Sequence, residues 1–207
     1  DNTLTPIENA NKYFARYNKL KRTYEAGTRL IAEIKDEIMY LESIINALDI
    51  ATTENDLNNI KEELAVTGYI KKSGKSKNKG NSHNKPMHYI SSDGFDMYVG
   101  KNNIQNDELT FKFATGGDWW FHAKQMPGSH VIVKSDGREL PDKTYEEAAA
   151  LAAYYSKGRD LEKVEVDYVL KKEVKKPAGA KPGFVVYYTN YSLIAIADIS
   201  GIKLVSE

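Results

Sequence analysis

Asp118, His122 and His130 are the side chains most like a catalytic or metal site in this sequence. Two imidazoles and one carboxylate can bind a transition metal with an open position, or act as an acid–base set. Alternation along a strand puts Trp120 and His122 on one face, so His130 on a neighbouring strand could meet His122. The spacing matches no tight metal-ligand pattern, and no nucleophile or second carboxylate accompanies the histidines. We therefore expect no enzyme activity, metal or cofactor here, but a polar cluster that is structural or contacts RNA, with Ser129 capping a turn.

Three consecutive aromatic residues, Trp119, Trp120 and Phe121, precede His122. Aromatic clusters mostly contribute burial, so two of the rings are expected in the core and one partly exposed. An exposed ring in a basic setting can stack on a base. Trp120 and the nearby Lys124 are therefore kept as candidates for RNA contact.

Residues 12–24 combine basic and aromatic side chains, and no acidic residue interrupts them. The basic residues are Lys12, Arg16, Lys19, Lys21 and Arg22, and the aromatic residues are Tyr13, Phe14, Tyr17 and Tyr24. The spacing of Lys12, Arg16 and Lys19 places them on one helix face. Charges beside exposed rings suit a phosphate backbone and unstacked bases. The alternative is a helix seam lined by rings, with a solvated basic back.

Two later segments also carry residue types that bind nucleic acids. The amide-rich segment contains Lys101, Asn102, Asn103, Gln105 and Asn106. The second segment surrounds a Pro- and Gly-containing loop with Lys175, Lys176 and Lys181. Amides can contact base edges, and lysines beside exposed backbone N–H groups can bind phosphate. Equally, amides suit helix caps and turns, and the lysines suit a solvated basic loop.

A long helix is predicted over residues 6–50, because Thr5, Pro6 and Glu8 form a strong helix start. Apolar residues then recur at steps of three and four, as in a coiled-coil seam. A second helix predicted over residues 54–66 is too short to cover that seam. The partner is therefore expected to be an upstream segment of the same protein or another copy. Without the upstream helix, we expect weak homodimerisation.

Residues 71–85 carry six lysines and no aliphatic or aromatic residue, which predicts a flexible basic linker. It is either a nonspecific polyanion contact or a solubilising tether. The chain would thus comprise a coiled-coil arm (1–70), the linker (71–85) and a compact domain (86–207).

The compact domain is predicted to be α+β, with an antiparallel sheet and two helices. Strands are expected at residues 87–91, 95–99, 119–123, 130–134, 164–170, 184–189 and 193–196. Asn102 is expected to cap a helix over 103–114. Thr144 and Glu147 have the spacing of a capping box, which predicts a helix from there to about residue 157.

Composition excludes several classes of protein. The chain has 29 basic and 29 acidic residues and therefore no net charge, and it has no cysteine, which excludes disulfides and cysteine-bound metals. Neither a bilayer-spanning run nor a signal peptide is visible, so no membrane contact is expected. Because the chain starts at Asp1, we expect it to be a fragment.

Two sequence runs in the second half are distinctive. They are DGFDMYVGKNNIQNDELT at residues 93–110 and DWWFHAK at residues 118–124, the latter followed by PGSHV at residues 127–131. Together with KKPAGAKPG at residues 175–183, they resemble the NFACT-R domain of the NFACT family, whose bacterial members are called fibronectin-binding protein A or RqcH. YNKLK at residues 17–21 resembles the coiled-coil arm of that family.

The resemblance implies the tip and returning helix of the arm, followed by NFACT-R. It implies a cytoplasmic ribosome-associated quality-control factor that binds stalled large ribosomal subunits carrying peptidyl-tRNA. Its partners would be rRNA, the stalk base and tRNA, and the full-length protein would promote alanine tailing. The family is also described as surface adhesins for fibronectin and fibrinogen. That alternative places the chain at the cell surface without a visible export signal.

Overall fold

The computed structural model describes residues 1–71 and 85–206. They divide into two units, Asp1–Met39 and Tyr40–Glu207. Almost all of the predicted linker over residues 71–85 lies outside the described residues.

Helix α1 spans Pro6–Ile50, as predicted. The Glu8 carboxylate accepts the Thr5 backbone N–H at 2.7 Å, and the Thr5 hydroxyl accepts the Glu8 N–H at 3.3 Å. The hydrogen bond from the Thr5 N–H lowers the pKa of Glu8. Apolar side chains of the first unit are exposed, Ile31 by 58%. This exposed apolar stripe gains no stabilisation from hydrophobic burial. A partner helix that would cover it stays a prediction.

The last turns of α1 belong to the second unit, where they pack against helix α2 (Glu54–Val66). Tyr40, Ile44 and Ala47 of α1 form a small apolar core with Ile60 of α2. The predicted bounds of α2 are confirmed.

A seven-stranded sheet forms the body of the second unit. The strands are β1 (Met87–Ile90), β2 (Asp96–Val99), β3 (Trp119–Ala123), β4 (Val131–Val133), β5 (Val164–Leu170), β6 (Tyr191–Ala195) and β7 (Lys203–Ser206). Their order is β6-β5-β3-β4-β2-β1-β7, and every neighbouring pair is antiparallel. This confirms the predicted α+β fold with an antiparallel sheet.

Helices cover both faces of the sheet. Helix α4 (Asp142–Tyr154) packs its alanines over the main core, which contains Phe121. On the other face, α3 (Asn103–Glu108) continues as a π-helical turn, Leu109–Phe113, over a second core that contains Trp120. The helix predicted over residues 103–114 is therefore present, with a change of hydrogen-bond pattern inside it.

The predicted capping box at Thr144 is wrong, because α4 already begins at Asp142. Thr144 is buried, and its hydroxyl donates to Asp93 Oδ2 at 2.8 Å. Glu147 accepts the backbone N–H of Ser92 at 2.8 Å. Both side chains therefore join α4 to the turn between β1 and β2, where tertiary contacts outweigh the local capping signal.

The strand predicted over residues 184–189 is also wrong. The segment contributes one isolated bridge, Val186 to Lys175. Val185 and Tyr187 pack onto the second core, so burial rather than sheet pairing holds it. Strand β7 was not predicted; all four of its residues are exposed, which leaves no clear hydrophobic pattern in the sequence.

Candidate functional site

The basic and aromatic side chains of residues 12–24 are all exposed on α1. The Phe14 and Tyr17 rings stack, with centroids 6.4 Å apart. Lys12 forms an exposed ion pair with Asp1 at 3.2 Å. Within the described residues, the other four cations make no ion pair, namely Arg16, Lys19, Lys21 and Arg22. Positive charge and ring faces, including those of Tyr13 and Tyr24, are thus available to a ligand.

The amide-rich candidates around the start of α3 are buried. Asn102 Oδ1 accepts the Gln105 backbone N–H at 2.9 Å and so caps α3, as predicted. Gln105 Oε1 accepts the Lys101 N–H at 3.0 Å. Asn106 Oδ1 accepts the His130 N–H at 3.0 Å. These amides satisfy backbone donors inside the domain, where an unpaired donor would be costly.

Asn103 and Glu63 lie where three helices meet. Glu63 Oε1 accepts from the Tyr40 hydroxyl at 3.0 Å and from Asn103 Nδ2 at 2.9 Å. Asn103 Nδ2 also donates to Ser43 Oγ at 2.8 Å. Within the described residues, Glu63 Oε2 has no hydrogen-bond partner. Burial raises the pKa of Glu63, although the hydrogen bonds from Asn103 and Tyr40 oppose that shift.

Lys101 is only 4% exposed and lies 3.6 Å from Asp56 of α2. Asp56 also forms a capping box with Thr53 at the start of α2. Burial acts to raise the pKa of Asp56, but hydrogen bonds from Thr53 and the charge of Lys101 outweigh it and lower the pKa. The Lys101 ammonium group therefore forms a buried ion pair and cannot contact a phosphate in this conformation.

The rings of His122, in β3, and His130, directly before β4, lie with centroids 5.4 Å apart and ring planes nearly perpendicular. Trp120 lies on the same face, fully buried, 5.1 Å from the His130 ring. Burial lowers the pKa of His122 to about 4. Burial and the nearby His122 lower the pKa of His130 well below its usual value. Both imidazoles are therefore neutral at neutral pH and offer no charge to a phosphate.

Asp118 is engaged away from the imidazoles. It pairs with Lys134 and accepts the backbone N–H groups of Thr115 at 2.7 Å and Ser135 at 3.2 Å. Burial acts to raise the pKa of Asp118, but these hydrogen bonds outweigh it and lower the pKa. Over residues 1–71 and 85–206, no three imidazole or carboxylate groups lie close enough to hold a metal ion.

Two of the three candidate lysines in the loop before β6 are engaged internally. Lys176 Nζ donates to Asp107 Oδ2 and to the Lys181 carbonyl, both at 2.7 Å. Lys181 Nζ donates to the Tyr69 hydroxyl at 2.8 Å and lies 4.5 Å from the centre of the Tyr40 ring. The third, Lys175, is exposed.

Lys124 and Ser129 complete the candidate set. Lys124 forms an ion pair with Glu165 at 2.5 Å on the sheet. Ser129 is buried, and its backbone N–H donates to the Tyr155 carbonyl at 2.9 Å. The structure thus separates the candidates into an exposed set on α1, the exposed Lys175, and a largely buried polar network around α3, β3 and β4.

A groove beside the β6 edge of the sheet is lined by residues that no sequence pattern predicted as a site. Its lining combines four aromatic side chains with carboxylates and aliphatic groups: Trp119, Tyr145, Tyr168, Tyr191, Asp142, Glu146, Leu193 and Ile194. These residues come from β3, α4, β5 and β6. No local motif marks such a set, because the rings are scattered over more than seventy positions of the chain.

In the part of the chain that the structure describes, no helix is long and apolar enough to cross a bilayer.

Two family models match the chain. Residues 1–83 match NFACT N-terminal and middle domains, and residues 85–189 match the NFACT protein RNA binding domain. The protein named Rqc2 homolog RqcH from Streptococcus suis (strain 05ZYH33) is 46% identical over 188 residues, which are 90% of this chain and 33% of that protein. The Bacillus subtilis (strain 168) protein of the same name is 40% identical over 196 residues, 94% of this chain and 34% of that protein. The chain thus spans about a third of the length of these relatives.

A solved structure is also similar, that of the C-terminal of the fibronectin/fibrinogen-binding protein from Streptococcus suis. Its TM-score is 0.84 and its sequence identity 43%, and the match covers 97% of this chain and 80% of that chain.

Proposed function

Because this chain belongs to the NFACT family and contains its RNA-binding domain, we propose that it is a ribosome- and RNA-binding part of a ribosome-associated quality-control factor. Residues 12–24 of α1 are the proposed contact. The observation that carries the proposal is the exposure of every basic and aromatic side chain in that segment. Relatives named Rqc2 homolog RqcH, at 40% and 46% identity, support the quality-control role.

The chemistry of residues 12–24 suits unpaired RNA. Each lysine or arginine that neutralises a phosphate releases a counterion, which gives salt-sensitive affinity. Each ring that stacks on a base adds about 1–3 kcal/mol without strong sequence preference. Arg16 and Lys19 are the pair chosen for the test, since their i, i+3 spacing places them on one helix face. Both are exposed and, within the described residues, neither makes an ion pair.

A second contact is proposed on the RNA-binding domain. Lys172 and Lys175 are exposed, and Lys171 is half-buried beside them. Lys176 and Lys181 are excluded from this contact, since their ammonium groups already bind Asp107 and Tyr69.

The role proposed for this chain is binding and not catalysis. For the longer protein of which such a chain is a part, we propose action in the cytoplasm on large ribosomal subunits obstructed by peptidyl-tRNA. Contacts with rRNA, the stalk base and tRNA, and alanine tailing of the nascent chain, belong to that proposal.

Binding of fibronectin or fibrinogen is the second candidate function. The similar Streptococcus suis structure is of a protein named for that binding. The exposed β6 edge, where Ile194 lies outside the core, offers a protein-binding surface. Such a contact would bury apolar area and respond weakly to salt.

Co-sedimentation of the chain with purified large ribosomal subunits, over about 50–300 mM salt, tests the first function. The variant Arg16→Glu/Lys19→Glu is compared with Arg29→Glu/Lys35→Glu, which makes the same charge change at exposed positions of the same helix. We expect the first variant to lose at least about tenfold in affinity. The slope of log affinity against log salt concentration should become less steep by about 1.5, as expected for two lost phosphate contacts.

A Lys171→Gln/Lys172→Gln/Lys175→Gln variant tests the second contact, and immobilised fibronectin in the same buffers tests the alternative. Equal losses in the two α1 variants would show that general charge, and not residues 12–24, governs binding. Absence of subunit binding, together with salt-resistant fibronectin binding, would replace the RNA proposal with the second candidate.

A further inference from the structure

Four aromatic rings line the groove beside β6, and they pack against one another. Trp119 lies 5.1 Å from the Tyr145 ring centroid and 5.8 Å from that of Tyr168. Tyr168 lies 5.3 Å from Tyr145 and stacks on Tyr191 at 5.4 Å. Because each ring packs against the next, the surface is ordered before a ligand binds, and this preorganisation lowers the entropic cost of binding.

The groove keeps ring area and hydroxyl groups open to solvent. Tyr191 is 64% exposed, and the other three rings are half-buried. Within the described residues, the hydroxyls of Tyr145, Tyr168 and Tyr191 make no hydrogen bond. The groove is open to solvent and has a volume of about 530 Å³, enough for several side chains. Exposed tyrosine and tryptophan are the residues that most often anchor protein ligands.

The charge of the groove is acidic. Asp142 and Glu146, at the start of α4, line it, and among the described residues no lysine or arginine lines it. Glu146 Oε2 also forms an exposed ion pair with Lys143 Nζ at 3.2 Å, whereas Asp142 forms none in the part of the chain that the structure describes. In the described residues, no cation of the chain itself lies over Trp119, Tyr145, Tyr168 or Tyr191. Electron-rich ring faces beside carboxylates attract an ammonium or guanidinium group and repel phosphate.

Strand β6 adds a backbone component to this surface. It lies at one edge of the sheet and pairs only with β5 among the described strands. An extended peptide can pair with such an edge, and alternate side chains of the peptide then point to the same face. Tyr191 and Leu193 of β6 line the groove, so alternate side chains of an added strand would lie above it.

We propose that this groove binds an extended segment of another protein that pairs with β6 and places lysine or arginine side chains over the rings, between Asp142 and Glu146. The proposal is independent of the RNA contact on α1. The acidic lining disfavours RNA at the groove itself, since each bound phosphate would face a carboxylate rather than a cation.

Fluorescence anisotropy with two labelled twelve-residue peptides tests the proposal on the full 207-residue chain. Both peptides have the same threonine–valine framework; one carries lysine at three alternate positions and the other carries glutamate there. A labelled oligouridine of twelve nucleotides is the third probe. Tyr191→Ser is compared with Tyr188→Ser, a tyrosine 84% exposed outside the groove, and Glu146→Gln with Glu162→Gln, an exposed carboxylate elsewhere.

We expect the lysine peptide to bind at least tenfold more tightly than the glutamate peptide. Tyr191→Ser and Glu146→Gln should each weaken that binding at least fivefold, whereas the two control variants should change it less than twofold. Equal binding of both peptides, no binding of either, or oligouridine binding that Tyr191→Ser abolishes would each overturn the proposal. So would self-association that Tyr191→Ser abolishes in sedimentation, because a second copy would then occupy the groove.

Discussion

Asn103 lies at the contact of three helices, where its amide donates to Ser43 and Glu63. The same amide on the surface would be free to contact a base edge, as its residue type suggests. Lys101 repeats the pattern, because its ammonium is buried beside Asp56. At the scale of single residues, burial therefore turns candidate RNA contacts into links between helices.

Glu63→Gln tests the role of the buried carboxyl. Since burial raises the pKa of Glu63 in the folded chain above its usual 4.5, the folded state holds this proton more tightly than the unfolded state does. Folding stability from this group is thus greatest below pH 4.5 and falls as pH rises through the raised pKa. Glutamine keeps an acceptor for Tyr40 and Asn103 but cannot ionise.

The measurement is the free energy of unfolding by urea at pH 4.5 and pH 7.5. The free energy of unfolding of Glu63→Gln, relative to that of the parent chain, should increase as the pH rises. A difference that stays constant with pH would show that Glu63 titrates in the folded chain as it does in water.

The loop between β5 and β6 packs against α3. Gly183 has a φ of +79°, and its backbone N–H donates to Asp107 at 3.1 Å. A Cβ there would lie 2.5 Å from Asn103 Oδ1. At the scale of elements, a glycine without a side chain allows this loop to approach α3, while Lys176 bonds the same aspartate from the other end of the loop.

Gly183→Ala should lower the free energy of unfolding by about 2–4 kcal/mol, combining left-handed backbone strain with displacement of the Asn103 amide from its buried acceptors. Gly179→Ala is the matched control, because its φ is +76° and no atom lies within 4 Å of its Cβ position. That variant should lose about 1 kcal/mol, from strain alone. Equal losses of unfolding free energy in the two variants, measured by urea denaturation, would show that the close approach of Gly183 to Asn103 adds nothing to the backbone strain.

At the scale of the whole molecule, the two units differ in what they expose. The unit over residues 1–39 presents basic, aromatic and apolar side chains and contributes none to the buried cores. The second unit has its own cores on both faces of a sheet. Expected ligands differ accordingly: RNA and a partner helix for the first unit, and an extended peptide for the groove of the second.

The apolar stripe of the first unit should cause weak self-association of this chain. Ile31→Glu/Ile34→Glu should raise the dissociation constant at least about tenfold, since each buried isoleucine contributes roughly 1.5–3 kcal/mol. Leu57→Glu, at an exposed position of α2, should leave the constant unchanged. Sedimentation velocity across a concentration series measures this, and a monomer at every concentration would contradict the prediction.

Local physics let the sequence alone determine much of this protein. The start of α1 follows from Thr5 and Glu8, whose hydrogen bonds span only three residues. The predicted bounds of β3 and β5 match the structure, and alternation along β3 places Trp120 and His122 on one face, where their rings stack. Whether His130 would meet His122 depended on which strand pairs with β3. The family followed from runs of adjacent residues.

Which polar groups are available to a ligand depends on tertiary packing. Lys176 and Lys175 are adjacent, yet Lys176 binds Asp107 while Lys175 faces solvent. The rings beside β6 come together only when β3, α4, β5 and β6 assemble. The physical reason is that hydrogen-bond pattern and periodicity act over a few residues, whereas burial and electrostatic environment depend on which distant segments cover a side chain.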